Sequence, residues 1–511
     1  MPTQIHRFEN IATHGIIRDA LPTELPQTVE EFAWSDGQNV RFHDGKAQKT
    51  KGESEFLAVS AAPSMLVPMN YAGTDQQQWA YAFEGGGLRV FDQFGRTLEC
   101  TVSSFLASTA GDVAVEPLGT SRLVAAFRSG GPWVVEWSTN LTSYLLQYNT
   151  ASTWVGSSVG NPHLVRQFGN YLVALGENGV AGGDNKVSWS TTVDGNTRIP
   201  GTWDPATDGE LAGSTHIDEG YGYLVDFRTV RDTGYLYKQR ATWGMQETGT
   251  NDVFRFFEVF SDLGAIDVDC IGVLEDEHVV FGHDDIYIHN GVNYRRLLSK
   301  RVRKDVFENI NRTATGRIAN VAVNKARGEV WLAYASGSSN NPDKVIIYDY
   351  ENDTVGDRVL SATTRHMAYG RVFATAMSGA STIRPRWRIA TATENGLRVS
   401  DETFTLNGTV MESYVERKGL TFGNESLTKL ITRVWPRLTT SNSSVNVRVG
   451  THNTPTGAVT WSDQKAYTPG IGDSLSFDVK GRYLAIRFET TADINWSLTG
   501  FDMQVRLRGH Y

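Results

Sequence analysis

The chain has 511 residues, 40% hydrophobic and 21% charged, with a formal net charge of −9. That is ample apolar material for packed cores and carries no signature of disorder. The acidic balance argues against a broad, sequence-independent grip on nucleic acid, which needs a basic face to displace counterions, but it allows a passage through which DNA slides without sticking.

From the N-terminus, "MPTQIHRFENIATHG" has no basic region followed by an apolar one, so no signal peptide is visible. No run approaches the roughly 18 apolar residues of a membrane helix. The first thirty residues read as an extended arm. "WSDGQNVRFHDGKAQKTKG" (34–52) then carries two Asp-Gly pairs, Asp36-Gly37 and Asp44-Gly45, which read as hairpin turns. Trp34, Val40 and Phe42 are its apolar anchors, and the lysines that follow form a solvated or intersubunit edge.

Strand–turn–strand units then recur about every 45–55 residues, the range of four-stranded propeller blades. They fall at 77–95, 121–138, 169–190, 222–243, 277–297 and 328–355, with a further hairpin at 386–402. One such sheet cannot bury both faces, whereas about six packed radially can. "RRLLSKRVRKDVFENI" (295–310) interrupts the pattern: Leu298, Val302, Val306 and Ile310 recur at i+4 as in an amphipathic helix. Arg295, Arg296, Lys300, Arg301, Arg303 and Lys304 flank that stripe and are the candidate interface residues.

After about 412 the strands lengthen and alternate, as in an antiparallel β-sandwich. The expected fold is therefore all-β: arm and hairpin over 1–58, a β-propeller of about six blades over 59–405 with a helix inserted near 296–310, and a C-terminal β-sandwich-like domain over 406–511. The opening hairpin is expected to pair with that last domain, with Val40 and Phe42 packed into it.

Motifs that carry chemistry are few. "GSSVG" (156–160) matches the nucleophile elbow by letters, but Asn161-Pro162 follows where a helix should. "EDEHVVFGHDDIYIH" (275–289) clusters His278, His283, His289 and several acids without a metal-ligand spacing, and reads as solvated turns. "TRIP" (197–200) echoes the sialidase Arg-Ile-Pro motif without the blade-turn repeat that accompanies it. Cys100 and Cys270 are neither a disulfide framework nor a zinc pattern and read as buried thiols. No catalytic residue, cofactor or metal is expected, and a scaffold is favoured over an enzyme.

Three stretches point to a family. "FAWSDGQNVRFHDGKAQKTKG" resembles the opening hairpin of the tail nozzle (hub, tail tubular) proteins of short-tailed bacteriophages, the podoviruses. "RVRKDVFENINRTATGRIANVAVNKARGEVWLAYASGSSNNPDKVIIYDYENDTV" is similar to their helix and following blade, and "GRYLAIRFETTADINWSLTGFDMQVRLRGHY" to their closing β-domain. Together these cover about a fifth of the chain. The resemblance implies a non-catalytic virion protein, made in the host bacterial cytoplasm and assembled as a homohexameric ring below the portal and adaptor. The ring would line the DNA exit channel used in genome ejection and support tail fibres or spikes, with double-stranded DNA passing through it without sequence-specific binding. The alternatives are a carbohydrate-binding or glycan-cleaving propeller and a peptide-binding propeller of a cellular complex.

Overall fold

The computed structural model describes residues 3–510 apart from 60, 70–77, 84–86, 93–95, 102–112, 119–121, 128–129, 139–140, 147–161, 178–180, 193–201, 207–210, 251, 362, 373–385 and 442. The GSSVG and TRIP strings lie outside the described residues.

Each repeating unit lies within a four-stranded antiparallel sheet, over its middle strands everywhere but at 222–243, which holds the first two strands of its blade. The strands of blade 1 are Pro63–Met69, Gln78–Phe83, Gly87–Asp92 and Thr97–Thr101; those of blade 2 are Val113–Pro117, Arg122–Phe127, Gly130–Trp137 and Tyr144–Leu146. Blade 3 comprises Leu164–Phe168, Tyr171–Leu175, Lys186–Trp189 and Gly213–His216, and blade 4 Leu224–Val230, Thr233–Lys238, Thr242–Glu247 and Phe254–Phe260. Blade 5 comprises Ile271–Val273, His278–Phe281, Ile286–His289 and Tyr294–Arg296, and blade 6 Ala319–Asn324, Glu329–Tyr334, Lys344–Asp349 and Thr354–Val359. Blade 7 is built from Thr364–Val372, Arg386–Thr393 and Gly396–Ser400, and its fourth strand is Glu53–Ala58, paired from Gly396↔Ala58 to Ser400↔Glu53. The first strands of consecutive blades lie side by side, and that of blade 7 returns to that of blade 1.

The ring thus has seven blades among the described residues, one more than expected, and the hairpin at 386–402 is the middle of the seventh. Its closing strand lies before position 59, where the propeller was expected to begin. A closed ring leaves no end sheet with an exposed face, and a strand from before blade 1 is the simplest way to tie the last blade to the first.

The C-terminal region is a β-sandwich. One sheet holds Thr3–Phe8, Trp496–His510, Leu427–Thr440 and Leu475–Gly481; the other holds Asp36–Gln38, Ser413–Leu420, Tyr483–Thr490 and Val445–His452, with Thr460–Trp461 and Lys465–Tyr467 at its edge. Alternation sends Val415, Val434, Val447, Phe488 and Phe501 inward, all fully buried.

No gap separates propeller from sandwich. Val40–His43 bonds to the outer strand of blade 6 at Asp357↔Val40. Its hairpin partner Lys46–Lys49 bonds to the C-terminal strand at Ala47↔Leu498 and Gln48↔Ser497. One sheet therefore runs from blade 6 through the hairpin into the sandwich, over a single apolar core. Asp44 and Gly45 make the turn with φ of 49° and 73°, the left-handed pair that a two-residue hairpin needs.

Candidate functional site: the hairpin junction and the propeller axis

The opening stretch is a splice between the two regions. Val40 and Phe42 are buried in the joint core, and the Trp34 indole N–H donates to the Ile11 carbonyl at 2.7 Å. The first Asp-Gly pair departs from the expected hairpin turn: Asp36 and Gly37 begin a strand paired with Ser413–Leu420. The reason is electrostatic and comes from distant segments. Asp36 accepts from Arg18 Nε at 2.8 Å and from the Tyr414 hydroxyl at 3.0 Å, and both bonds hold it extended.

Arg18, on the arm, ties four segments together. Besides Asp36 it donates to Asp305 at 3.3 Å, Asp357 at 3.0 Å and the Gly37 carbonyl at 2.8 Å. Burial pulls its pKa down, but Asp357, Asp36 and Asp305 outweigh that and raise it. The neighbouring Asp19 accepts from the backbone N–H groups of Lys304 and Asp305. It thus caps from a distant segment the helix Arg303–Asn309, whose own N-cap residue, Val302, makes no side-chain bond.

That helix is shorter than expected. Tyr294–Arg296 is the outer strand of blade 5, paired Tyr287↔Arg296, so sheet pairing overrides the helical period there. Leu298, Val302, Val306 and Ile310 are still all buried. Most of the basic flank is engaged within the chain. Arg296 and Arg303 share Asp285, Arg301 pairs with Asp353 at 2.5 Å, and Arg295 reaches the Tyr348 hydroxyl. Lys304 lies near Glu308 at 3.7 Å, and Lys300 is exposed.

The propeller axis is closed by charge. Asp269, just before the first strand of blade 5, accepts from Arg166 of blade 3 at 3.0 Å and Arg228 of blade 4 at 2.7 Å. Its other oxygen meets Arg317, before blade 6, at 3.2 Å and His366 of blade 7 at 3.3 Å. Asp226 of blade 4 accepts from Arg166 at 3.1 Å and from the Asp269 backbone N–H at 2.9 Å. Glu116 of blade 2 stands farther off, 3.5 Å from Arg166 and 3.9 Å from Arg228. The Leu66 N–H of blade 1 donates to His366 Nδ1 at 3.3 Å, leaving Nε2–H for Asp269. Every blade contributes a group.

Burial alone would push Asp269 up, yet the His366 hydrogen bond and the Arg166 and Arg317 guanidiniums hold it well below the usual carboxylate range. Glu116 goes the other way, raised by burial that Arg166 and Arg228 only partly offset. Over this plug sits a cavity of about 260 Å³, walled by Val67, Pro68, Pro117, Val323 and Tyr369 among others, with Arg228, Glu116 and Asp269 on its lining.

A second buried polar set lies between blades 4 and 5. His278 and His289 are not solvated turn residues but cross-strand partners, almost fully buried. The Tyr237 hydroxyl lies 2.6 Å from His278 Nδ1 and 2.6 Å from His289 Nε2. His278 Nε2 faces the Thr229 carbonyl at 3.2 Å, so it carries the proton and Nδ1 accepts from Tyr237. His289 Nδ1 accepts from the Gly291 N–H at 3.1 Å, so its Nε2–H donates to the Tyr237 oxygen. The hydrogen bonds run one way, from His289 through Tyr237 to His278, among three neutral groups. Burial, with His289 and Arg228 nearby, lowers His278 to about 3, and burial lowers His289 to about 4.

None of Arg18, Arg166, Asp226, Asp269, Arg317 or Tyr237 stands out in the sequence. The available signal was a charge at an inward position of an apolar strand, as in "LVRQF" and "LVDFRTV". Cys100 and Cys270 are both buried and unpaired. Among the described residues no helix is long and apolar enough to cross a membrane.

No family model matches the chain, and no curated protein matches it. Solved structures similar to it include U3-55K, at 11% identity over 69% of this chain and 99% of that chain, with a TM-score of 0.43. The WD40 repeats of RRP9 match at 11% over 69% and 99%, TM-score 0.44, and the WD40 β-propeller domain of Doa1 at 11% over 69% and 97%, TM-score 0.37. The chain's own strand pairing defines its class: an all-β propeller welded to a β-sandwich.

Proposed function

We propose that the chain is a structural protein of a short-tailed phage tail, the nozzle ring below portal and adaptor, which lines the DNA exit channel and carries fibres or spikes. It works without catalysis and resides in the virion. The observation that carries this reading is the splice: the stretch that resembles the nozzle family's opening hairpin is the one that makes a propeller blade and a sandwich a single sheet. A wall unit under load needs such continuity, because two domains joined only by a linker move against each other. The plugged axis fits as well, since it stiffens the propeller and leaves DNA passage to the ring's own axis.

The glycan-cleaving alternative needs a pair of carboxylates free to protonate and to attack. On the axis, Asp269 and Asp226 are held by guanidiniums, which lowers the standing of that alternative. Light scattering and negative-stain imaging of the full chain mixed with its adaptor ring test the proposal. A closed ring of copies is the expected result; a chain that remains a monomer beside the adaptor overturns it.

A further inference from the structure

On the outer face of the sandwich's first sheet the charge balance of the chain is reversed. Strand alternation turns Phe8, Ile431, Val434, Met503 and Val505 into the core. It leaves Arg7, Arg433, Arg437, Lys480, Arg506 and Arg508 on the outside, against the carboxylates Glu9, Asp478 and Asp502. That surplus of +3 sits on a chain of net charge −9, which leaves −12 for everything else (−9 less +3).

Arg7 and Arg437 are occupied, both reaching Glu9 and Asp502. Arg433, Lys480, Arg506 and Arg508 are exposed, and among the described residues none has a carboxylate within ion-pair distance. The register gathers these four. Leu430 stands opposite both Lys480 and Arg506, Arg508 follows two residues along the same strand, and Arg433 stands opposite Gln504. Neighbouring strands are about 4.8 Å apart and alternate residues about 7 Å, so the four cations form one patch across three strands. The Arg433 guanidinium rests over the Trp435 ring at 5.8 Å, which holds it flat on the sheet.

We propose that this face is a phosphate-backbone contact surface for double-stranded DNA. The inference rests on the nozzle reading for the identity of the polyanion and adds the surface that meets it. Four strands at about 4.8 Å make a face about 14 Å across, broader than the roughly 12 Å major groove that admits a two-stranded ribbon, so its cations meet phosphates and the contact is independent of sequence. The remainder of the chain carries a net −12, so on balance it repels the duplex and favours contact at this patch. Few contacts on one face, in a chain that otherwise repels DNA, give a weak grip that permits sliding.

The test is fluorescence anisotropy of a short random-sequence duplex with the full chain over a series of salt concentrations. Four phosphate contacts predict that log affinity falls with log salt with a slope of about −3.6, and that each Arg→Gln change at 433, 506 or 508 reduces the slope by about 0.9. The combined variant R433Q/K480Q/R506Q/R508Q, all exposed positions, should melt like the parent and lose binding. No binding at low salt overturns the proposal, as does binding that the combined variant retains with the same slope. If the duplex does not bind but the combined variant abolishes low-salt self-association of the chain, the face belongs to a second copy and the proposal falls. In each of these failures the nozzle reading still stands or falls separately, on ring formation with the adaptor.

Discussion

The propeller axis and the seam between blades 4 and 5 both remove polar side chains from water, the first as ions and the second as neutral groups. On the axis three guanidiniums meet three carboxylates and an imidazole, and Asp269 alone touches Arg166, Arg228, Arg317 and His366. At the seam a phenol bridges two imidazoles and no ion is involved. Buried ions carry a large desolvation cost that is offset only while every charge keeps its partner. Neutral groups carry a smaller cost, but each must hold one tautomer. The ionic cluster should therefore fail when a residue is removed, and the neutral one when a proton is added.

The largest expected effect follows directly. Asp269→Asn keeps the shape and removes the charge on which three guanidiniums converge, so it should cost about 3–5 kcal/mol or prevent folding. Urea denaturation followed by tryptophan fluorescence measures it. A loss below about 1 kcal/mol would put the axis in the same category as the seam.

Acid separates the two clusters in the opposite direction. The folded values of His278 and His289, about 3 and about 4, lie below the unfolded value of about 6.5. The unfolded chain thus binds more protons through this window. The seam's contribution is fully present above about pH 6.5 and is lost as pH falls toward 4 and then 3. Asp269 is held below the usual carboxylate range, so its contribution survives until pH falls through that lower value. In H278Q/H289Q the dependence of stability on pH between about 6.5 and 4 should flatten relative to the parent. A parent and variant with parallel pH profiles would show that the seam does not sense protons.

A smaller effect is expected from Tyr237→Phe. It leaves His278 Nδ1 and His289 Nε2–H without their shared partner and should cost about 1–3 kcal/mol. A change within a few tenths would mean that the imidazoles bond elsewhere, and that the one-way order of the three groups has no energetic weight.

Much of the fold was open to a reading of the sequence, because the middle strands of each blade alternate visibly and end in Gly, Asn or Asp turns. The seventh blade was harder. Its outer strand, Glu53–Ala58, lies more than three hundred residues from its partner Gly396–Ser400, and only ring closure requires the pairing. Tyr294–Arg296 read as helix because the stripe from Leu298 onward continues without a break signal, and cross-strand pairing cannot be seen locally. Asp36 read as a turn residue since Asp-Gly is a turn pair in isolation; its actual conformation depends on Arg18 and Tyr414. The two polar clusters were illegible for the same reason. Arg166 and Asp226 are ordinary letters in strands, and what makes them a cluster is a ring that brings residues sixty positions apart within 3.1 Å.

The finest test of the comparison lies inside the ionic cluster. Glu116 belongs to it by charge but not by geometry, at 3.5 Å from Arg166 and 3.9 Å from Arg228. Burial raises its pKa, so ionisation at neutral pH is less favourable in the folded chain than in the unfolded one. Arg166 keeps Asp226 and Asp269, and Arg228 keeps Asp269, when that carboxylate is neutralised. Glu116→Gln should therefore change stability by no more than about 1 kcal/mol at neutral pH, in either direction. Measured beside Asp269→Asn, it separates charge count from pairing. If Glu116→Gln destabilised the fold as strongly as Asp269→Asn, the axis would depend on its total negative charge, and close pairing to a single hub would not explain its stability.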